Sequence, residues 1–299
     1  MGVAVLLVVG LYAVVCSVVA LTLTRNQRFP LERTPATYGL SYQDVVFPSR
    51  VDHLTLRGWL IAPVANGGAA GRPVVAVHGR GGNRERGPGG GLLEIAAHLA
   101  AAGHPVLTFD LRGAGESGGD RFTLGAQEVR DVGGAVDFLG ERGLAPDGVD
   151  VVGFSLGAAT AVLQGGADAC VRAVVEDSGY ADLGDILEEQ VPALSGLPGF
   201  FTPGTVFMAR PLLGVDAYAI RPAQSAQRLA ARGVPLLVIH GEADRLVPVR
   251  HGRRLAAAYG PAAETLFVPG AGHVQAYVTD PAAYLAHLLP FLARAEPQA

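Results

Sequence analysis

Ser155 stands between two glycines in the run Gly153-Phe154-Ser155-Leu156-Gly157, which continues through Ala158, Ala159 and Thr160. A serine hydroxyl is a weak nucleophile and needs a neighbouring base before it attacks a carbonyl. The run follows an apolar, β-branched stretch at 149–154 and opens a small-residue helical pattern, which is the strand–turn–helix context of a nucleophile elbow. A turn that sharp lifts the hydroxyl above the sheet edge. It also presses the flanking backbones together, so the positions two before and two after must be small, and both are glycine. The helix that starts after Ser155 aims free N–H groups at developing negative charge. The chemistry this predicts is attack on an ester-like carbonyl through a covalent acyl intermediate.

Partners for such a serine are sought later in the chain, the acid first and the histidine after it. An apolar run at 236–239 leads into His240-Gly241-Glu242-Ala243-Asp244, and one at 265–268 leads into Pro269-Gly270-Ala271-Gly272-His273. His273 is the candidate general base. Asp244 is the candidate acid that orients it, with Glu242 two residues away and Asp177 after the run at 173–176 as competitors. Upstream, the run at 74–77 ends in His78-Gly79-Arg80-Gly81-Gly82-Asn83, a loop whose backbone can approach a substrate closely. The N–H groups of Arg80 and Leu156 are the candidate oxyanion-hole donors. His78 precedes the nucleophile and is expected to brace the loop, and the Arg80 side chain is expected to be solvated.

The elements that must hold these residues are legible as a pattern. Two strands, at 44–47 and 54–62, are expected to pair antiparallel, with Trp59 in the core. From residue 73 onward, short β-branched runs at 74–77, 106–109, 149–154, 173–176, 236–239 and 265–268 alternate with helical stretches such as 92–102, 125–139, 156–163 and 252–259. That alternation predicts an α/β fold with a mostly parallel eight-stranded sheet and helices on both faces. Ligands then bind outside the carboxyl ends of the strands. Between about 180 and 232 the alternation breaks into a run rich in Leu, Phe, Pro and Gly, which predicts a helical cap inserted over the sheet. Its Phe200, Phe201, Phe207 and Met208 are candidates either to line an acyl pocket or to pack the cap down. Its Glu188 and Glu189 are candidates to hold a substrate amine or to lie on a solvated face.

The first 24 residues form a separate unit. Residues 3–23 carry no charge, and a helix of that length spans about 30 Å, the thickness of a bilayer core. A signal peptide would want a basic segment before a shorter apolar one, so an uncleaved transmembrane anchor is expected. Arg25, Arg28 and Arg33 follow it against Glu32 alone, which predicts a single-pass membrane protein with its catalytic domain in the cytoplasm. Residues 25–40, with Pro30, Pro35 and Gly39, are expected to be a linker, and 41–299 the main domain. Cys16 and Cys170 have no metal-ligand spacing and are expected to be buried thiols. With 49% hydrophobic and 17% charged residues the chain is not disordered. A net charge of −4 without a basic block argues against a nucleic-acid partner.

Taken with Asp110-Leu111-Arg112-Gly113-Ala114-Gly115-Glu116-Ser117-Gly118-Gly119, the segments at 78–83, 153–157, 241–248 and 270–273 occur in the order found in one superfamily. The chain resembles the α/β-hydrolase superfamily, and within it the bacterial branch similar to serine aminopeptidases and monoglyceride lipases, some of them membrane-anchored. Ala114 stands where the family commonly carries His, at a position without a catalytic role. The resemblance implies the α/β-hydrolase fold, a triad of Ser155, His273 and Asp244, no metal or organic cofactor, and a structural role for the 110–119 block. The substrate it implies is a small acyl ester or lipid-like molecule. Three alternatives remain open: acyl transfer by the same residues, an aminopeptidase, and a non-catalytic binding protein on the same fold.

Overall fold

The computed structural model describes residues 2–64, 71–87 and 91–295. Eight strands form one sheet: β1 (Tyr42–Pro48), β2 (Thr55–Ile61), β3 (Val74–Val77), β4 (Val106–Phe109), β5 (Val149–Phe154), β6 (Val171–Asp177), β7 (Leu236–Gly241) and β8 (Glu264–Val268). Their order in space is β1-β2-β4-β3-β5-β6-β7-β8. β2 pairs antiparallel with both β1 and β4, and the remaining pairs are parallel, as the strand–helix alternation predicts.

Alternate side chains along the strands feed two cores. Val75 and Val77 of β3 join Val151 of β5 on one face, and Val74 and Ala76 join Val152 and Phe154 on the other. The first face is covered by α3 (Glu128–Glu141), α4 (Leu156–Ala167), α7 (Pro222–Ala231) and α8 (Arg250–Tyr259), which contribute Val132, Val162, Leu229 and Leu255. The second lies under α2 (Leu92–Ala101) and α10 (Pro281–Ala295), through Leu99 and Phe291, with the short α9 (Ala276–Thr279) beside them. Strands covered on both faces need apolar residues at most positions, hence their β-branched runs; the buried Asp150 of β5 is paired with Arg72 at 3.2 Å. Trp59 is buried in the core, and its indole N–H donates to Asp44 Oδ1 at 3.0 Å.

β5 lies between β3 and β6, where the direction of chain progress across the sheet reverses. Ser155 leaves its carboxyl end at that switch point, the place where open α/β sheets form a crevice. Between β6 and β7 the chain makes α5 (Leu183–Ser195), α6 (Phe201–Leu213), a 3-10 turn (Ala217–Ala219) and α7. α7 packs Ala226 and Leu229 into the lower core, so the part of this insertion that stands over the carboxyl edge is α5 and α6.

The apolar N-terminal segment is a single helix, α1 (Gly2–Leu23), long and apolar enough to cross a membrane, and only its second half, from Tyr12 onward, is buried to any extent. The residues after it have no strand beyond an isolated bridge, Arg25 to Arg121, yet they are fastened to the domain. Asn26 N–H donates to Asp120 O at 3.2 Å, Phe122 N–H donates to Thr24 O at 3.1 Å, and Arg28 donates to the carbonyls of Ala114 and Gly115. Arg33 pairs with Glu85 at 3.1 Å and Glu94 at 2.8 Å. Arg28 and Arg33 therefore bind the domain, beyond any part in setting topology. Cys16 is buried against α6 as expected, but Cys170 is exposed. It sits in the turn before β6, at the amino end of the sheet, where neither core reaches it.

Candidate active site

β5 is buried throughout, and the chain must reverse sharply at its end to begin α4. Ser155 takes the strain, at φ 54° and ψ −114°, a conformation a non-glycine residue adopts only when its surroundings force it. The two glycines are sterically required. A Cβ at Gly153 would collide with the backbone of Gly157, and one at Gly157 would collide with the carbonyls of Val77 and His78. The Ser155 N–H is held by Asp177 O at 2.8 Å.

The loops after β7 and β8 bring two more side chains to this turn. His273 Nε2 lies 2.8 Å from Ser155 Oγ, and its Nδ1 lies 2.7 Å from Asp244 Oδ2. The other Asp244 oxygen, Oδ1, accepts the N–H groups of Leu246 and Val247 at 2.8 and 2.9 Å. Burial pushes the Asp244 carboxyl up, but the His240 imidazole beside it and hydrogen bonds from His273 and the Val247 N–H outweigh it, and the net shift is downward. It stays an anion facing the imidazole. The competitors are engaged elsewhere: Glu242 pairs with Arg253 at 3.1 Å, and Asp177 accepts from the hydroxyls of Ser178 at 2.8 Å and Tyr284 at 3.2 Å.

Behind the three residues lies a buried acid–histidine cluster with no separate signal in the sequence. Burial pushes the carboxyls of Glu176 and Asp177 up to about 8 and about 6. His240 Nε2 donates to Val247 O at 2.7 Å and lies 3.4 Å from Asp244 Oδ2. Burial lowers the His240 pKa, but the adjoining Asp244 carboxylate raises it, and the net shift is upward.

The Gly-rich loop after β3 is braced by His78. Its Nδ1 lies 2.7 Å from Gly79 O and its Nε2 accepts the Leu111 N–H at 3.0 Å, which fits the neutral tautomer protonated on Nδ1. Burial lowers its pKa further. The 110–119 block forms a buried network: Asp110 accepts from the Arg84 N–H at 2.7 Å and the Glu116 N–H at 2.8 Å, and Arg112 pairs with Asp131 at 2.6 Å. Neither the Arg80 N–H nor the Leu156 N–H has an acceptor among the described residues, and both residues border the same cavity as Ser155. The Arg80 side chain is exposed, as expected, and its guanidinium lies 4.8 Å from the centre of the Phe122 ring.

That cavity rises from Ser155 and His273 between α5, α6 and the end of α1. Ile186, Val191 and Leu194 line it from α5, Val206 and Ala209 from α6, and Ala20 and Leu23 from α1. No carboxylate borders it among the described residues. Phe200, Phe201, Phe207 and Met208 do not line it. Phe201 stacks on Tyr12 of α1, while Phe200 and Phe207 are exposed, so α6 presents its aromatic side away from the site. Glu188 and Glu189 also lie outside it, with Glu189 paired to Arg250.

Comparison with known proteins agrees with this fold. A model of the alpha/beta hydrolase family matches residues 74–287. The uncharacterised protein Rv2307c of Mycobacterium tuberculosis is 31% identical over 77% of this chain and 72% of its own length. The uncharacterised protein YfhR of Escherichia coli O157:H7 is 26% identical over 79% and 75%. Among solved structures, the Pyrococcus furiosus esterase Pf2001 superposes with a TM-score of 0.72 at 24% identity, covering 91% of this chain and 97% of that one. The Pyrococcus horikoshii acylaminoacyl peptidase gives 0.62 at 18%, covering 87% of this chain and 42% of that one. At these identities the structural matches speak to the fold alone.

Proposed function

The chain belongs to the alpha/beta hydrolase family, and from that premise we propose that it is a membrane-anchored serine hydrolase that cleaves an ester or thioester through an acyl-enzyme. The observation that carries this reading is the unbroken chain Ser155–His273–Asp244, at 2.8 and 2.7 Å, on the floor of an apolar cavity.

In the first half-reaction, Ser155 Oγ bonds to the acyl carbon while His273 Nε2 takes its proton. Asp244 accepts from His273 Nδ1–H, which fixes the ring and stabilises the imidazolium. The carbonyl oxygen becomes an oxyanion and receives the N–H groups of Arg80 and Leu156. The tetrahedral intermediate collapses, the bond to the leaving alcohol or thiol breaks, and His273 returns the proton to it. Water repeats the sequence: it loses a proton to His273, attacks the acyl carbon, and frees Ser155 and the carboxylic acid. These steps balance without a metal or organic cofactor.

The lining favours an apolar acyl group over a peptide with a free amine, because no acid borders the cavity among the described residues. The 22-residue apolar α1 supports anchoring, and its last third is built into the cavity wall, which favours an uncleaved helix. We assign 1–24 to the anchor, 25–40 to a tightly bound connector and 41–299 to the hydrolase domain, with α5 and α6 as its cap.

A fluorophosphonate is expected to label the full-length protein and to leave Ser155→Ala unlabelled. Equal labelling of the variant removes Ser155 as the nucleophile. A p-nitrophenyl ester series from acetate to laurate, beside aminoacyl anilides, then separates esterase from peptidase.

A further inference from the structure

Four aromatic or thioether side chains of the cap, candidates either to line an acyl pocket or to pack the cap down, lie outside the cavity, and that placement has a pattern. From Val191 to Ala209, nineteen residues carry no charge, and Arg210 is the first to break the run. This stretch holds the end of α5 and most of α6. Its outward side chains are large and apolar: Phe200 is 63% exposed and Phe207 72%. Such a face on a freely soluble cap would cost solubility and gives the fold nothing in return.

α6 does not point into bulk solvent at random; it lies along α1. Tyr12 donates its hydroxyl to Phe200 O at 2.7 Å and stacks on the ring of Phe201, with centroids 5.2 Å apart. Cys16 Sγ meets Phe201 O at 3.6 Å. At Gly204 a Cβ would fall 2.6 Å from Cys16 Sγ and from the Tyr12 ring, so the two helices touch where only glycine fits. Tyr12 and Cys16 are in the middle of the apolar helix. At about 1.5 Å per residue Tyr12 lies roughly 16 Å from Leu23, close to the depth of one leaflet. A bilayer that takes up α1 takes up the start of α6 with it. The first cations of the two helices, Arg25 and Arg210, both follow the apolar stretches at their C-terminal ends, where a headgroup layer would meet them.

The cavity runs between these same elements: Ala20 and Leu23 of α1, Val206 and Ala209 of α6, and Leu194 of α5 border the space that reaches Ser155. We propose that the α5–α6 arm enters the leaflet beside α1, and that the cavity draws its substrate laterally from the bilayer, so that the substrate is a membrane-resident long-chain acyl ester. The proposal rests on the serine hydrolase reading above. The occupant of the outer face of α6 is lipid acyl chain, in continuity with α1, and not a second copy of the chain.

The test uses full-length protein in phosphatidylcholine vesicles. In Phe207→Trp, the added emission is expected to fall by half or more when the vesicle lipid carries brominated acyl chains, while the buried Trp59 leaves a constant background. Quenching no greater than in the unsubstituted protein overturns membrane entry, whether α6 then faces water or another copy. In Phe207→Asp, kcat/KM for a long-chain ester held in the vesicle is expected to fall tenfold or more. Hydrolysis of water-soluble p-nitrophenyl acetate and co-sedimentation with vesicles through α1 are expected to stay within twofold. No change on either ester, or an equal fall on both, overturns lateral delivery. If the unsubstituted protein cleaves neither ester, the hydrolase reading and the substrate assignment fail together, while quenching still decides membrane entry. Turnover of the soluble ester without quenching defeats the inference alone.

Discussion

His240 Nε2 stands 3.4 Å from the Asp244 oxygen that His273 Nδ1 meets at 2.7 Å, so one carboxylate is faced by two imidazoles. Its other oxygen receives two backbone N–H groups. Three hydrogen bonds and the nearby His240 imidazole explain why this buried acid remains ionised despite its desolvation, and why the carboxylate is held in one orientation toward His273.

Asp244→Asn keeps the shape and removes the charge. The hydrolysis rate is expected to fall by about 10³–10⁴, as when a triad acid loses its hold on the imidazole tautomer. Stability changes in a defined direction as well. The Asp244 pKa is depressed in the folded state, so its contribution is present above the ordinary carboxylate range near pH 4 and is lost as pH falls below it. The melting temperature of Asp244→Asn is therefore expected to trail that of the parent at pH 7 and to approach it toward pH 3. A gap that widens on acidification contradicts the assignment.

Glu176 behaves in the opposite sense. Burial holds its carboxyl up to about 8, its Oε2 accepts the Gly179 N–H at 2.8 Å, and its Oε1 has no partner among the described residues. The folded protein keeps this proton while the unfolded chain gives it up near pH 4, so stability is lost between pH 4 and 8. Glu176→Gln carries no proton to lose. Its melting temperature relative to the parent is expected to rise by more than about 3 °C from pH 5 to pH 8, a shift on the scale of 1 kcal/mol for a domain of this size. A constant difference across that range shows that Glu176 is ionised in the folded state.

Much of this architecture is legible in the sequence for a physical reason. Strands buried on both faces must be apolar at most positions, so β3, β5 and β7 stand out as apolar runs, and Ser155, Asp244 and His273 each follow a strand of this sheet. The glycines of the elbow are legible because two backbones need the same space. Phe200 and Phe207 are not legible in this way: an aromatic residue in an apolar stretch looks the same whether it lines a cavity or faces outward. Their direction depends on α1 packing against α6, a contact between segments about 190 residues apart. Cys170 escapes for a similar reason, since its exposure is set by where the turn before β6 lies relative to the cores.

Backbone donors can be separated from side chains at Arg80. Its guanidinium rests over Phe122, but the group assigned to the oxyanion is its N–H. Arg80→Ala keeps that donor and is expected to retain kcat within about tenfold, whereas Arg80→Pro deletes it and is expected to lower kcat by about 10²–10³. Melting temperatures recorded beside the rates identify loss of fold. Equal losses in both variants would move the role from the backbone to the guanidinium.

The contact between α1 and α6 is open to a chemical ruler. A side chain at Gly204 would start 2.6 Å from Cys16 Sγ and from the Tyr12 ring, so an introduced thiol adjoins Cys16, and the Sγ and ring end that it overlaps are side-chain atoms that can turn aside. Gly204→Cys in a Cys170→Ser background, which removes the exposed thiol, is expected to form a disulfide between the introduced thiol and Cys16 under mild oxidation in membranes. The readout is loss of both thiols to a maleimide, measured after unfolding and restored by a reductant. If the two cysteines stay independently reactive in vesicles, α1 does not lie on α6 in the membrane, and the cavity loses the wall formed by Ala20 and Leu23. If they join and ester hydrolysis persists, the helix pair works as a fixed unit, and a substrate enters beside it without parting the two helices.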